Sequence, residues 1–394
     1  MSRFERHPAL TIGLVLAAVV GAALAASETI LSYSADSMTV RADESLPSPE
    51  RVIRLREWPP NTHFVLAPPE ARFRNPGGPV HRLYDVVTDR DGFISPGRVH
   101  ESPELTIVFL GGSTTECLFV TPDERFPYLV GRLLEERLGR TVNSLNGGKS
   151  GNNSLHSLNA LTAKVLPLRP DAVAFMHNVN DLALLSRTGS YWTSESDFAQ
   201  IHTPRRDLET VARTLRDLTI PRTYRAVRRA LARLAAALGG DAAAAEPGAS
   251  PALPADGERL ERSADDYESA LRQFVATARA WRVTPVLLTE VQLAGGTWRA
   301  PERAEPGDYL AEAGLGRRGF TAQSFRDAHD YFNEIVRHVA ATEGVLLVDL
   351  AARGPWGAND LYDGLHFSDA GSRRAAEIIA AELADALART ESAE

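Results

Sequence analysis

Ser113 stands directly after an apolar run and two glycines, in the stretch IVFLGGSTTE that spans residues 107–116. A serine hydroxyl is a weak nucleophile unless a base takes its proton, and a histidine base works best when a carboxylate orients its other ring nitrogen. Such a pair lies near the end of the chain, where Asp363 and His366 are three residues apart in LYDGLHFSDAG. Two further stretches carry groups able to donate to a developing oxyanion. One is HNVND, His177 to Asp181, with the side-chain amide of Asn180. The other is SLNGGKSGNNS, Ser144 to Ser154, with its glycine N–H groups. Each stretch also has a plainer reading. Ser113 can cap a helix. Asp363 and His366 can belong to a polar turn in which Ser368 or Asp369 caps the next helix. Asn180 can bond its own backbone.

The elements that must carry these residues show in the surrounding pattern. Short β-rich runs begin at Leu105 (LTIVFL), Thr141 (TVNSLN) and Asp171 (DAVAFMHN), and recur over Thr284–Val291 and Val345–Leu350. Between and after them, apolar residues at helical spacing predict helices over Phe126–Gly139, over residues 154–168 with a stop near Pro167, from about Asp265 to Trp281, from Ala322 to Glu343, and from Asp369 to Leu387. Strands alternating with helices imply a parallel sheet covered on both faces. All four polar stretches then fall at carboxyl ends of strands, where open α/β sheets place their sites.

Residues 183–262 interrupt this rhythm. Within them Tyr224, Val227, Leu231, Leu234 and Leu238 form an apolar stripe, flanked by Arg222, Arg225, Arg228, Arg229 and Arg233. This is either a cap helix on the domain or a basic amphipathic helix suited to an anionic membrane. The tract 240–259 is low in complexity and is expected to be disordered. Asp89-Arg90-Asp91-Gly92 hints at a calcium loop, but without the later acidic ligands it reads as a turn.

Taken in order, the four stretches resemble the SGNH hydrolases, the GDSL-type esterase/lipase superfamily. The matching residues are Gly111-Gly112-Ser113-Thr114, Lys149-Ser150-Gly151-Asn152, Asn178-Val179-Asn180-Asp181 and Asp363-Gly364-Leu365-His366. The resemblance covers residues 104–390 apart from the insert. It implies a flavodoxin-like three-layer α/β/α sandwich. It also implies that Ser113 is the nucleophile, that His366 is the base and then the acid, and that Asp363 orients it. The oxyanion hole would use the N–H groups of Ser113 and Gly151 and the side chain of Asn180. Two positions depart from the family pattern. Gly112 stands where the name motif has Asp, and Asn178 where the third block has Gly. Asn tolerates a left-handed backbone, so Asn178 either keeps the turn or narrows the substrate space. Asn178, Asp181, Glu290 and Gln292 are candidates for the substrate rim, and so is Glu116, although three residues after Ser113 it reads first as a structural capping-box partner. His156 and His177 show no metal spacing and read as loop or core residues. Neither metal nor cofactor is expected.

Gly147-Gly148-Lys149-Ser150 looks like the end of a phosphate-binding loop. Such a loop needs a further glycine five positions back, and that position is Asn143. The chain has 394 residues and a net charge of -8, with no strongly basic tract. Neither nucleotide nor nucleic acid is therefore expected. Cys117 is the only cysteine, so no disulfide forms within the chain. Arg3 and Arg6 precede an apolar run from Ala9 to Ala26. At about 18 residues this run is near bilayer-spanning length, while Ala23-Leu24-Ala25 offers a small-residue cleavage site. Residues 1–27 thus read as a signal anchor or a signal peptide, and 28–103 as an extracytoplasmic extension packed on the domain. The expected activity is hydrolysis of an O-acyl ester, foremost an O-acetyl group on an envelope or extracellular polysaccharide. Acyl transfer to a sugar hydroxyl, a lipase or lysophospholipase activity, and a non-catalytic envelope scaffold are the alternatives.

Overall fold

The structure, a computed structural model, describes residues 19, 21, 52–68, 82–192, 200–202, 257–293, 320 and 322–391. The rest of the N-terminal apolar run, the arginine-flanked stripe and most of the tract 240–259 lie outside them. Among the described residues no helix is long and apolar enough to cross a membrane.

Ahead of the central sheet, the short strands β1 (His63–Leu66) and β2 (Tyr84–Val87) pair antiparallel. The central sheet follows: β3 (Leu105–Gly111), β4 (Val142–Asn146), β5 (Ala172–Met176), β6 (Thr284–Leu288) and β7 (Leu346–Val348). Its order is β4-β3-β5-β6-β7 and every pairing is parallel. The chain moves outward from β3 to β4 and then crosses back to β5 on the other side. That reversal opens a crevice beyond the end of β3, the usual ligand position in a doubly wound sheet.

Alternation along the strands builds two cores. Val108 and Leu110 of β3, Val173 and Phe175 of β5 and Leu287 of β6 face one layer. That layer holds α3 (Ser154–Ala160), α4 (Val179–Thr188), α5 (Gly257–Ala280) and α6 (Ala322–Glu343). Ile107, Phe109, Ala172, Ala174, Met176, Val286 and Leu288 face the opposite layer, made by α2 (Phe126–Leu138) and α7 (Asp369–Glu391). This is the expected three-layer sandwich. Local signals end its helices as the sequence suggests. Gly139 turns α2 off in a left-handed conformation at φ 67. Ser368 caps α7, accepting from the Gly371 N–H at 3.2 Å.

Three details differ from the sequence expectation. The helix over 154–168 is broken: after Ala160 the chain widens into a π-helical turn (Leu161–Val165), then tightens into a 3₁₀ turn around Pro167. Pro167 lacks the N–H a regular helix requires. A ten-residue helix, α4, directly follows β5, so the interruption begins later than residue 183. The helix expected from about Asp265 already begins at Gly257, inside the tract expected to be disordered.

Segments ahead of β3 are stitched to the sheet by polar contacts. The buried Arg125 guanidinium donates to the carbonyls of Ser95, Asp85 and Cys117. The Asn143 side chain accepts from Val99 and His100 N–H groups and donates to the His100 carbonyl. The Asp89 stretch is a turn: its carboxylate accepts from the N–H groups of Asp91 and Phe93, and Arg98 pairs with both Asp89 and Asp91.

Candidate active site

Gly112 occupies the N-cap position of a four-residue helix, α1 (Ser113–Glu116), so Ser113 is the first helical residue and does not cap it. The residue is half-buried just beyond the carboxyl end of β3. His366 Nε2 lies 2.7 Å from Ser113 Oγ. On the far side of the imidazole, Nδ1 is 2.8 and 2.7 Å from the two carboxylate oxygens of Asp363. Nδ1 therefore carries the proton toward Asp363, which leaves Nε2 to accept from the serine. The carboxylate is fixed before it meets the ring, because the N–H groups of His366 and Leu365 donate to Oδ1 at 2.9 and 3.2 Å. The loop is closed by an antiparallel bridge between Leu361 and Phe367. The ring of Tyr362 stacks on His366 at 5.5 Å and 9°. A hydroxyl, an imidazole and a carboxylate thus stand in series, an arrangement able to deprotonate the serine as it attacks a carbonyl.

The other side of Ser113 is assembled from distant parts. Asn180 Nδ2 donates to the Asn152 carbonyl at 2.9 Å. It also lies against Gly112, where an added Cβ would come within 2.3 Å of it. A side chain at Gly112 would therefore require the Asn180 amide to move. Gly151 has φ +76, a conformation that favours glycine. Its carbonyl and that of Ser150 accept from the Arg56 guanidinium at 3.1 and 3.2 Å. The structure thus brings Ser113, Gly151 and Asn180 around one crevice.

Four of the five candidates for the rim are instead buried: Glu116, Asn178, Asp181 and Glu290. Glu116 accepts from Trp58 Nε1 at 2.7 Å, from the Ser150 N–H at 2.9 Å and from the Ser150 hydroxyl. Asn178 donates to the His329 carbonyl and to Asn333 Oδ1. Asp181 accepts from the Ser154 N–H at 2.9 Å and from the Tyr191 hydroxyl. Glu290 accepts from Thr114 Oγ1 at 2.7 Å and from the Val179 N–H at 3.0 Å. These side chains support the walls from behind. Gln292, the partly exposed fifth, donates to Asp330 and to the Arg326 carbonyl.

Burial raises the Glu116 and Glu290 carboxyls above the usual carboxylate range. It also pushes Asp181 up to about 7 and His177 down to about 3. With the imidazole kept neutral by burial, their 3.7 Å contact is not an ion pair. His177 also meets Ser157 Oγ at 2.8 Å in the core, and His156 completes a capping box with Asn153 at the start of α3. Both histidines are structural. The lone Cys117 thiol is buried and pushed up to about 12, far from thiolate chemistry.

Sequence reasoning missed the part played by residues 56–58. The chain has only two lysines, and both hold this segment. Lys149 sits 3.2 Å above the Trp58 ring and 3.7 Å from Glu116. Lys164 pairs with Glu57 at 2.6 Å. Nothing in the local pattern around Trp58 announces a partner some ninety residues away, whereas the isolated Lys149 in a glycine loop was a signal without a counterpart.

The sequence model of the GDSL-like Lipase/Acylhydrolase family matches residues 109–309. The chain belongs to this family. As a GDSL-like acylhydrolase it is an enzyme that hydrolyses ester bonds. The match includes the first three blocks and stops before Asp363 and His366. No curated protein sequence matches the chain. Among solved structures, the acetylxylan esterase Axe2 from Geobacillus stearothermophilus is 17% identical with a TM-score of 0.40, over 71% of this chain and 94% of its own. LAE5, an α/β hydrolase enzyme from the metagenome of Lake Arreo, is 18% identical with a TM-score of 0.39, over 71% and 95%. The lipase/acylhydrolase from Enterococcus faecalis is 16% identical with a TM-score of 0.39, over 71% and 96%.

Proposed function

We propose that this acylhydrolase works through Ser113, His366 and Asp363 and removes O-acyl groups, foremost O-acetyl, from a polysaccharide of the cell envelope or its surroundings. The observation that carries the mechanism is the unbroken series from Ser113 Oγ through His366 to the Asp363 carboxylate, with 2.7 Å at each contact. In the first half-reaction the Ser113 proton passes to His366 Nε2 while Oγ bonds to the acyl carbon. The carbonyl oxygen becomes an oxyanion, received by the Ser113 and Gly151 N–H groups and by Asn180 Nδ2. His366 then protonates the departing sugar alkoxide, and the acyl group stays on Ser113. In the second half, His366 takes a proton from water. The hydroxide adds to the acyl-enzyme, and the carboxylic acid leaves as Ser113 Oγ regains its proton.

The polysaccharide assignment draws on the export-type N-terminus, with Arg3 and Arg6 ahead of the apolar run, which would place the enzymatic domain outside the cytoplasm. A fluorophosphonate probe should label Ser113, and Ser113→Ala should abolish both labelling and turnover of a short-chain nitrophenyl ester. Release of acetate from acetylated glycans, measured against fatty-acid release from lipid esters, tests the substrate class. Preference for long-chain lipid esters would overturn it. Adding a glycan acceptor in competition with water separates hydrolysis from acyl transfer.

A further inference from the structure

Glu290 has no place in the relay just described, yet it is wholly enclosed beside it. It sits two residues beyond the end of β6. Its two carboxylate oxygens reach in different directions. Oε1 contacts the hydroxyl of Thr114, the residue after the nucleophile, at 2.7 Å. Oε2 accepts the N–H of Val179, the first residue of α4 and the neighbour of Asn180, at 3.0 Å. The Glu290 backbone is itself pinned, because Asn333 of α6 accepts from its N–H at 3.1 Å and donates to its carbonyl at 2.8 Å. Asn333 Oδ1 also receives Asn178 Nδ2 at 3.0 Å. Three strand ends thus meet on one side chain: β3 through Thr114, β5 through Val179, and β6 through Glu290.

We propose that Glu290 is a positioning residue that fixes the distance between Ser113 and Asn180 by bridging Thr114 to Val179. The proposal rests on the site reading given above. It identifies a side chain that touches neither substrate nor relay but sets where the nucleophile and the amide donor stand relative to each other. Val179 offers only an N–H, so Oε2 must accept. Thr114 can donate or accept, so the bridge requires a two-headed side chain but not a particular charge. A glutamine meets that requirement, with its carbonyl toward Val179 and its NH₂ toward Thr114 Oγ1. Alanine does not. A misplacement of about 1 Å in such a constellation lowers turnover about 100-fold.

The test compares kcat and KM on a short-chain nitrophenyl ester across Glu290→Gln, Glu290→Ala, Thr114→Val and Thr114→Ser, with the rate of fluorophosphonate labelling alongside. Glu290→Ala and Thr114→Val should lower kcat and labelling by about 10- to 100-fold, with KM within about threefold. Glu290→Gln and Thr114→Ser, which keep the bridge, should stay within about threefold of the parent chain. Thr114→Val at parental kcat overturns the proposal, as does Glu290→Gln losing as much as Glu290→Ala. Should Glu290→Ala fail to fold, the contrast between valine and serine at Thr114 decides the matter. Absence of Ser113 labelling in the parent chain instead removes the site reading itself.

Discussion

The two sides of Ser113 are built in opposite ways. The base side is one short loop. Asp363 and His366 bond each other, the N–H groups of Leu365 and His366 fix the carboxylate, and a bridge between Leu361 and Phe367 closes the turn. The side proposed to receive the oxyanion draws on Arg56, Gly112, Gly151, Asn152 and Asn180, held by the buried carboxyls of Glu116, Asp181 and Glu290. A base has to reach one proton and can be carried by a local motif. Donors that converge on a charge appearing only in the transition state must be fixed in space from several directions. The first task is written in four consecutive residues and the second in the packing of the whole crevice.

Variants that remove one side at a time probe this contrast. Ser113→Ala should lower kcat by about 10⁴-fold or more, and Asp363→Asn by about 10⁴-fold through loss of the correct imidazole tautomer. An Asp363→Asn enzyme with near-parental kcat would mean that the loop does not act as a relay. Asn180→Ala removes one donor and should reduce kcat by about 10²- to 10³-fold with little change in KM. A loss seen mainly in KM would assign Asn180 to ground-state binding. Trp58→Phe keeps the ring under Lys149 but leaves Glu116 without its indole donor. Thermal or urea unfolding should show a loss of about 1–3 kcal/mol, and unchanged stability would show that the segment is dispensable there.

The smallest expected effect concerns protons. Asp181, raised from 3.8 to about 7, holds in the folded chain a proton that the unfolded chain lacks between those values. Its contribution to stability is therefore present at low pH and fades as pH rises toward 7. His177 and His329, lowered from 6.5 to about 3, act in the opposite sense. The unfolded chain takes up protons that the folded one refuses, so stability falls as pH drops below 6.5. Asp181→Asn removes the opposing contribution. Relative to the parent, the variant should lose roughly 1 kcal/mol per pH unit on acidification from 6.5 to 4, read from urea midpoints. Parallel curves for the two proteins would contradict the raised Asp181.

The sheet and its order of elements were legible because alternating β-rich and helical runs report a repeating physical need, burial on two faces. The pairing of Asp363 with His366 was legible for the reason that makes it local: a carboxylate and an imidazole three residues apart are visible in the string itself. Glu290 was misread as a rim residue, and a rim place for Glu116 stayed open beside its structural reading, because a carboxylate at a strand or helix end looks solvent-facing until its partners are known. Those partners, Trp58, Ser150, Thr114 and Val179, lie far away along the chain. Lys149 had no role in the sequence for the same reason, since its ring partner lies in a segment with no pattern of its own. The helix α4 was missed because it follows β5 after only two residues, His177 and Asn178.

The hold of Arg56 on the Ser150 and Gly151 carbonyls has a practical side for gene dissection. A fragment excised at the bounds of the family match, 109 and 309, would code for Ser113 without Asp363 and His366, and for a glycine loop stripped of the guanidinium that braces it. A cut that keeps the proposed site whole must begin ahead of Arg56 and continue past His366 into α7, whose Asp369 grips Thr121 and Arg82.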